Sequence, residues 1–223
     1  MALIELRGIS KEYDIGGGKV RALKEINLSI EKGEFLAIMG QSGSGKSTLL
    51  NIIGCLDRPT AGTYELNGES IETKGDRELA SLRSKRIGFV FQTFNLVPKL
   101  TVFQNVELPM IYARVPPAER QQRAMAALKS VGLEDKVDRT PDQLSGGEAQ
   151  RAAIARALVN NPDIILADEP TGNLDSETGK EIIGILGSLN RQGRTIVLVT
   201  HNSEIASFAG RKVQLRDGAV EEA

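Results

Sequence analysis

Apolar residues in this chain gather into short unbroken runs separated by longer stretches with helical spacing. Phe35-Leu36-Ala37-Ile38-Met39 is one such run, and residues 87–91, 164–167 and 195–199 are similar. A short continuous apolar run marks a strand covered on both faces. Helices are expected between them, at about 46–56, 176–192 and 203–209. In the second, Ile182, Ile183, Leu186 and Leu189 make one apolar stripe, and Gly193 supplies a stop. The alternation predicts an α/β chain with a mostly parallel core sheet flanked by helices.

Two regions depart from that rhythm. Residues 3–9 and 20–30 read as strands, with Val20, Ala22, Ile26, Leu28 and Ile30 keeping part of a period-2 pattern and a glycine-rich turn at 14–18. Thr63-Tyr64-Glu65-Leu66 runs into Asn67-Gly68, a strand entering a tight turn. An N-terminal antiparallel β layer is therefore expected. Residues 95–160 hold no convincing strand; helices are expected at 116–131 and 146–160, the first opened by Pro116-Pro117 and the second closed by Asn160-Asn161-Pro162. This segment reads as a helical subdomain inserted into a single domain spanning residues 1–223.

Composition narrows the class. Of 223 residues, 40% are hydrophobic and 26% charged, the balance of a soluble globular chain. Lys plus Arg is 28 against 29 for Asp plus Glu, which argues against a nucleic-acid partner. One cysteine, Cys55, and one histidine can form neither an intrachain disulfide nor a zinc site. The N-terminus lacks the basic and apolar regions of a signal peptide, and no apolar run approaches a membrane span.

Three motifs carry chemistry. Gly40-Gln41-Ser42-Gly43-Ser44-Gly45-Lys46-Ser47 follows a predicted strand and opens a predicted helix, matching the phosphate-binding pattern G-x-x-x-x-G-K-[ST]. Its glycines let the backbone curl so that amides point at phosphate oxygens, and the helix dipole adds to the attraction. Lys46 would reach the β and γ phosphates, and the Ser47 hydroxyl would ligate Mg²⁺. An ordinary Gly/Ser turn is the bland alternative, which the strand-to-helix context disfavours. Asp168-Glu169 ends the apolar run at 164–167. Neighbouring residues on a strand point in different directions, so Asp168 can serve the metal while Glu169 orients or deprotonates the attacking water. Alone, the pair would read equally well as a solvated strand end. Ser145-Gly146-Gly147-Glu148 has the S-x-x-E capping-box pattern. A cap needs no glycines, so the pair points to close approach of a ligand. Lys46 already serves the chain's own nucleotide, so this second helix end is expected to meet the nucleotide of a neighbouring copy.

On these residues the chain resembles the ATPase subunit of an ABC transporter, a P-loop NTPase, over nearly its full length. The resemblance assigns Gly40 to Ser47, with Thr48 after it, to the Walker A motif and 164–168 to Walker B. It assigns Leu144 to Glu148 to the signature and Asn173-Leu174-Asp175 to the D-loop. It makes Gln92 the Q-loop glutamine, which joins the Mg²⁺ shell and senses the membrane subunit. His201 matches the switch histidine that contacts the γ phosphate, and Tyr13 lies where an aromatic meets adenine. The commoner fifth signature residue is Gln; Glu148 here is conservative for capping. The resemblance implies ATP and Mg²⁺ as cofactors and a homodimer that sandwiches two MgATP. Each site would use Lys46, Ser47, Gln92, Asp168, Glu169 and His201 of one chain with Ser145 and Gly147 of the other. It also implies a separate integral-membrane permease and a peripheral location on the cytoplasmic face of the inner membrane.

Ala167 to Ser176, Asn95-Leu96-Val97-Pro98 and Thr101-Val102 resemble the lipoprotein-releasing and macrolide-export branch, whose permeases have four membrane helices and a large extracytoplasmic domain. Two other classes remain open: a regulatory ATPase without cargo, and a DNA-repair-type head, which would need an inserted coiled coil that this chain has no room for. A small-molecule kinase would share the phosphate loop but leave the Ser145–Gly147 helix start unexplained. Cys55 is expected in the core on the helix after the phosphate loop, and residues 119–123 on a solvated helix face. Phe94, Leu96, Val97, Leu100, Val102, Phe103 and Val106 are expected to pack the helical insertion or to form a groove for a permease helix.

Overall fold

The computed structural model describes residues 2–222. In chain order the elements are β1 (Ala2–Ile15), β2 (Gly18–Glu31), β3 (Phe35–Met39), α1 (Lys46–Ile53), β4 (Ala61–Leu66), β5 (Glu69–Ser70) and α2 (Asp76–Arg86). There follow β6 (Ile87–Phe91), α3 (Val102–Tyr112), α4 (Pro117–Ser130), a 3-10 turn at Pro141–Gln143, α5 (Gly146–Leu158), β7 (Ile164–Asp168) and α6 (Ser176–Arg191). The chain closes with β8 (Thr195–Val199), α7 (Ser203–Ala206), β9 (Arg211–Arg216) and β10 (Ala219–Glu222). They form two compact units: residues up to Leu79 with those from Asn190 onward, and Ala80–Leu189.

The first unit holds the antiparallel layer, with strand order β2-β1-β4-β5. Alternation explains most of it: Ile4 and Leu6 of β1 and Ile26, Leu28 and Ile30 of β2 are buried while Arg7, Asn27, Ser29 and Glu31 are exposed, and a register shift between Leu6 and Ile9 lets Ile9 and Ser10 both be buried. Asn67 and Gly68 both take left-handed backbone in the turn after β4, as a two-residue hairpin requires. The same unit contains β3, parallel to β8 on one side and to β9 on the other, with β10 antiparallel beside β9. Residues Phe35–Ile38 and Thr195–Val199 are all buried, as their continuous apolar runs require. Helix α1 stops at Ile53, short of the expected 56, because Gly54 caps it and Cys55 turns left-handed at φ 53°. Cys55 is buried as expected, but beyond the helix rather than on it. Helix α7 is also shorter than expected, ending at Ala206.

The second unit pairs β6 with β7 in parallel and surrounds them with helices. Helix α5 approaches β6 closely: a Cβ on Gly88 would lie 2.5 Å from the Ala157 carbonyl oxygen. Helix α3 was not anticipated. Its start is a capping box formed by Thr101 and Gln104, and the buried Asn105 amide donates to the carbonyls of Val97, Leu100 and Thr101 while accepting from the Val97 amide. The face at 119–123 is not wholly solvated: Arg120 turns inward to Glu107 at 2.7 Å and ties α4 to α3, while Glu119 pairs with Arg123 outside. Of the apolar set near 94–106, Val102 and Val106 are core residues; Phe94, Leu96, Leu100 and Phe103 are half-buried, and Val97 is exposed.

Candidate functional site

In the first unit, buried β3 delivers the glycine loop directly to α1. A Cβ on Gly40 would fall 2.3 Å from the Leu215 carbonyl oxygen, and one on Gly45 would fall 2.6 Å from that of Ala22. Gly45 is also left-handed at φ 102°. The Gly218 amide donates to the Ser44 carbonyl at 3.1 Å, and the Gly218 carbonyl accepts from the Lys24 amide at 2.7 Å, so the β9–β10 turn braces the loop from behind. Gln41, Ser42 and Gly43 remain exposed, while Ser44 is buried. The Lys46 ammonium donates to the carbonyls of Gly40 and Gln41, both at 2.8 Å, which leaves one of its three protons for a ligand. Ser47 is exposed and Thr48 half-buried in the first turn of α1. That turn has no side-chain cap and no carboxylate, so its free amides and dipole are available to an anion.

Tyr13 and His201 belong to the same unit. The Tyr13 hydroxyl donates to Asp57 at 2.8 Å, and the Lys11 ammonium lies 4.9 Å from the Tyr13 ring centroid. Burial, and then the Asp57 bond, push the Tyr13 phenol above its ordinary value. Burial alone would raise the Asp57 carboxyl, but hydrogen bonds from Lys11, Tyr13 and the Arg58 amide outweigh it and hold the group below the usual range. Exposed His201 sits between buried Thr200 and Asn202, whose side chain accepts from the Glu204 and Ile205 amides to cap α7. A short, pinned link thus presents the imidazole.

In the second unit, Gln92 and Glu169 leave adjacent parallel strands side by side, because Phe91 and Asp168 are register partners. Glu169 is left-handed at φ 45°, and its carbonyl accepts from the Gly172 amide at 2.9 Å. Such backbone costs a residue with a Cβ about 1–2 kcal/mol, and strain of this kind clusters where a side chain must be aimed. The Gln92 Nε2 donates to Asn173 Oδ1 at 3.2 Å, and Asn173 Nδ2 donates back to the Gln92 carbonyl at 3.1 Å. Asp175 caps α6, accepting from the Glu177 amide and from the Thr178 amide and hydroxyl.

The start of α5 forms the expected capping box. Ser145 Oγ accepts from the Glu148 amide at 3.3 Å, and Glu148 Oε2 accepts from the Ser145 amide at 2.8 Å. Glu148 also receives Lys136, and that bond first, with the Ser145 amide second, holds its carboxyl down to about 2. The glycine pair has an intrachain cause that spacing could not reveal. Neither residue is left-handed, but a Cβ on Gly147 would lie 2.6 Å from Thr178 Cγ2, and one on Gly146 would lie 3.0 Å from Leu174 Cδ2. Two residues of α5 that sequence reasoning passed over also reach this region. Gln150 donates to the carbonyls of Phe91 and Pro170, and Arg156 to those of Phe94 and Asn95. Burial lowers the Arg156 guanidinium from its ordinary value.

A glycine loop opening an uncapped helix, a strand ending in two carboxylates and a capped Ser-Gly-Gly turn are the parts of a nucleotide-hydrolysing cassette, and the comparisons agree. The family described as ABC transporter matches residues 23–172. The chain belongs to this family and is an ATP-binding, ATP-hydrolysing component with the P-loop NTPase fold. It is 56% identical to the uncharacterised ABC transporter ATP-binding protein YvrO of Bacillus subtilis, over 97% of this chain and 94% of that protein. It is 53% identical to the macrolide export ATP-binding/permease protein MacB of Nitrosomonas europaea, over 98% of this chain but only 33% of that longer protein. Among solved structures, a dimeric post-hydrolysis state of the ATP-binding cassette MJ0796 bound to ADP and Pi superposes with a TM-score of 0.90 at 50% identity, covering 98% of this chain and 97% of that one.

Proposed function

We propose that two copies of this chain enclose two MgATP molecules and drive a separate membrane permease of the macrolide-export or lipoprotein-releasing kind. In each site the loop from Gly40 to Gly45, with Lys46, Ser47 and Thr48, holds the phosphates, and adenine rests against Tyr13. Glu169 orients the attacking water and His201 contacts the γ phosphate. The second copy contributes the Ser145 hydroxyl and the amides of Gly146 and Gly147, framed by Glu148. ATP binding closes the pair because donors of both copies share the γ phosphate; its loss on hydrolysis removes the shared partner.

The observation that carries this reading is the first turn of α5. Its capping box occupies the Ser145 and Glu148 amides and leaves the amides of exposed Gly146 and buried Gly147 without a side-chain partner. The dimeric state of the MJ0796 cassette supports the same arrangement. The proposed Mg²⁺ donors are the Ser47 hydroxyl, the Asp168 carboxylate and Gln92 Oε1. One carboxylate with two neutral oxygen donors suits Mg²⁺, an ion usually held by one or two carboxylates plus substrate phosphates. When bound, Mg²⁺ supplies charge neutralisation on the β and γ phosphates.

No helix among the described residues is long and apolar enough to cross a membrane, so the proposed location on the cytoplasmic face of the inner membrane depends on the permease. Exposed Val97 is proposed to contribute to that contact. The test is purification of the Glu169→Gln chain from gently solubilised membranes with ATP and Mg²⁺, with partners identified by mass spectrometry. Recovery of a four-helix membrane protein with a large outer domain is expected. Recovery of only soluble or DNA-associated proteins would overturn the transporter reading and favour the repair-type head.

A further inference from the structure

Helix α5 holds the backbone on both sides of Gln92 and just beyond Glu169. The Gln150 side chain is fully buried. Its Nε2 donates to the Pro170 carbonyl at 2.6 Å and to the Phe91 carbonyl at 3.3 Å. From the same helix Arg156 donates to the Phe94 carbonyl at 2.8 Å and to that of Asn95, two residues in left-handed backbone. The carbonyls before and after Gln92, and the one after the strained Glu169, are thereby tied to a single helix.

Packing does not explain an amide at this place. Gln150 Oε1 is buried and receives no donor among the described residues. An orphaned buried acceptor is destabilising, and a methionine would fill a similar volume without it. The opposite amide orientation would set an oxygen against two carbonyl oxygens, so the two donated bonds define what the side chain does.

We propose that Gln150 is a positioning residue for hydrolysis. By holding the Pro170 carbonyl it keeps the left-handed turn at Glu169 aimed, and by holding the Phe91 carbonyl it sets the departure of Gln92. Both are thereby locked to the helix whose first turn is Ser145-Gly146-Gly147-Glu148. Any shift of α5 is transmitted to the water-orienting carboxylate and to the proposed metal-binding amide together. The inference rests on the roles given to Glu169 and Gln92 above.

The test compares steady-state ATPase kinetics and thermal unfolding of the full chain carrying Gln150→Met, Gln150→Glu or Glu169→Gln, at saturating MgATP. Misplacement of a catalytic group by about an ångström costs up to roughly a hundredfold. Gln150→Met should lower kcat by roughly ten- to a hundredfold, change the KM for ATP less than about twofold, and leave Tm equal or higher, because the orphaned acceptor is gone. In Gln150→Glu an ionised carboxylate would face two carbonyls, so kcat should fall at the alkaline end of the profile, where a carboxyl raised by burial finally ionises. Relative to wild type it should recover as pH drops and the protonated group donates to Pro170. Wild-type kcat in Gln150→Met, a change confined to KM, or a Gln150→Glu rate ratio independent of pH would overturn the proposal. Near-normal turnover in Glu169→Gln would overturn the underlying reading of Glu169 instead, whatever the Gln150 variants do.

Discussion

Helices α1 and α5 both begin at glycine-rich turns, yet their first turns are furnished in opposite ways. At α1 the cap is left-handed Gly45, no side chain bonds the amides and no carboxylate stands in the first turn. At α5 Ser145 and Glu148 cap each other, Glu148 is ionised to about pH 2, and Lys136 pairs with it. A carboxylate in a first turn already uses part of the helix dipole, typically about 0.3–1 kcal/mol. The open end suits a ligand of high charge held continuously, with Lys46 beside it. The capped end is stable without a ligand and offers only two amides and a hydroxyl proton. That difference teaches why one turn is proposed to bind phosphate by itself whereas the other is expected to engage only phosphate already held by a second copy.

The largest expected effect lies at the open end. Lys46→Ala removes the cation beside the loop and should lower kcat/KM for ATP by about a hundred- to a thousandfold, measured by phosphate release. Equal loss at both ends would break the comparison, so the next variants are at α5. Gly147→Ala would drive a Cβ to 2.6 Å from Thr178 Cγ2, and overpacking of this kind costs about 1–3 kcal/mol. Adding Thr178→Ser deletes that methyl and keeps the hydroxyl that donates to Asp175. The double variant should recover its Tm. If turnover recovers with it, the glycine serves packing; if turnover stays low, the turn must also admit a ligand closely, as the account expects.

Ser145→Ala removes the acceptor for the Glu148 amide and should cost about 1 kcal/mol of stability, seen in denaturant unfolding, and should lower turnover without weakening ATP binding to the single chain. An unfolding midpoint that did not move would remove the cap from the account. A further effect is the pH dependence of stability at this end. The Glu148 carboxyl is lowered from 4.5 to about 2, so its contribution is fully present above about pH 4.5 and is lost as pH falls toward 2. Lys136→Met deletes the first cause of that shift and should flatten the acid limb of the stability curve in that window. An unchanged limb would show that Lys136 does not hold the carboxylate.

Much of this was legible in the sequence where the cause is local. The runs at 35–39, 87–91, 164–167 and 195–199 are strands because nearly every position is covered, with Met39, Phe89 and Phe91 half-buried, and a continuous apolar run says so directly. The S-x-x-E pattern at Ser145 was readable for the same reason. Helix α2 was not, since Leu79 is its single buried residue among charges and leaves no stripe. Helix α3 carries an internal Pro109, but its Thr101-x-x-Gln104 start was a usable signal that went unused. So was Asp217-Gly218 between β9 and β10, whose alternating Val213 and Leu215 mark a short strand. Long-range causes were invisible. Gly147 answers to Thr178 on another helix, and Gln150 to carbonyls 59 and 20 residues away. No periodicity encodes such partners.

Helix α1 is proposed to hold ATP within one chain, whereas α5 engages it only across two. Light scattering of Glu169→Gln during size-exclusion chromatography, with MgATP and with MgADP, tests it most directly. The account predicts a dimer in ATP, a monomer in ADP, and a monomer that still binds ATP when Gly147→Ala/Thr178→Ser is added. A chain that binds ATP, fails to hydrolyse it and yet stays monomeric would contradict the claim.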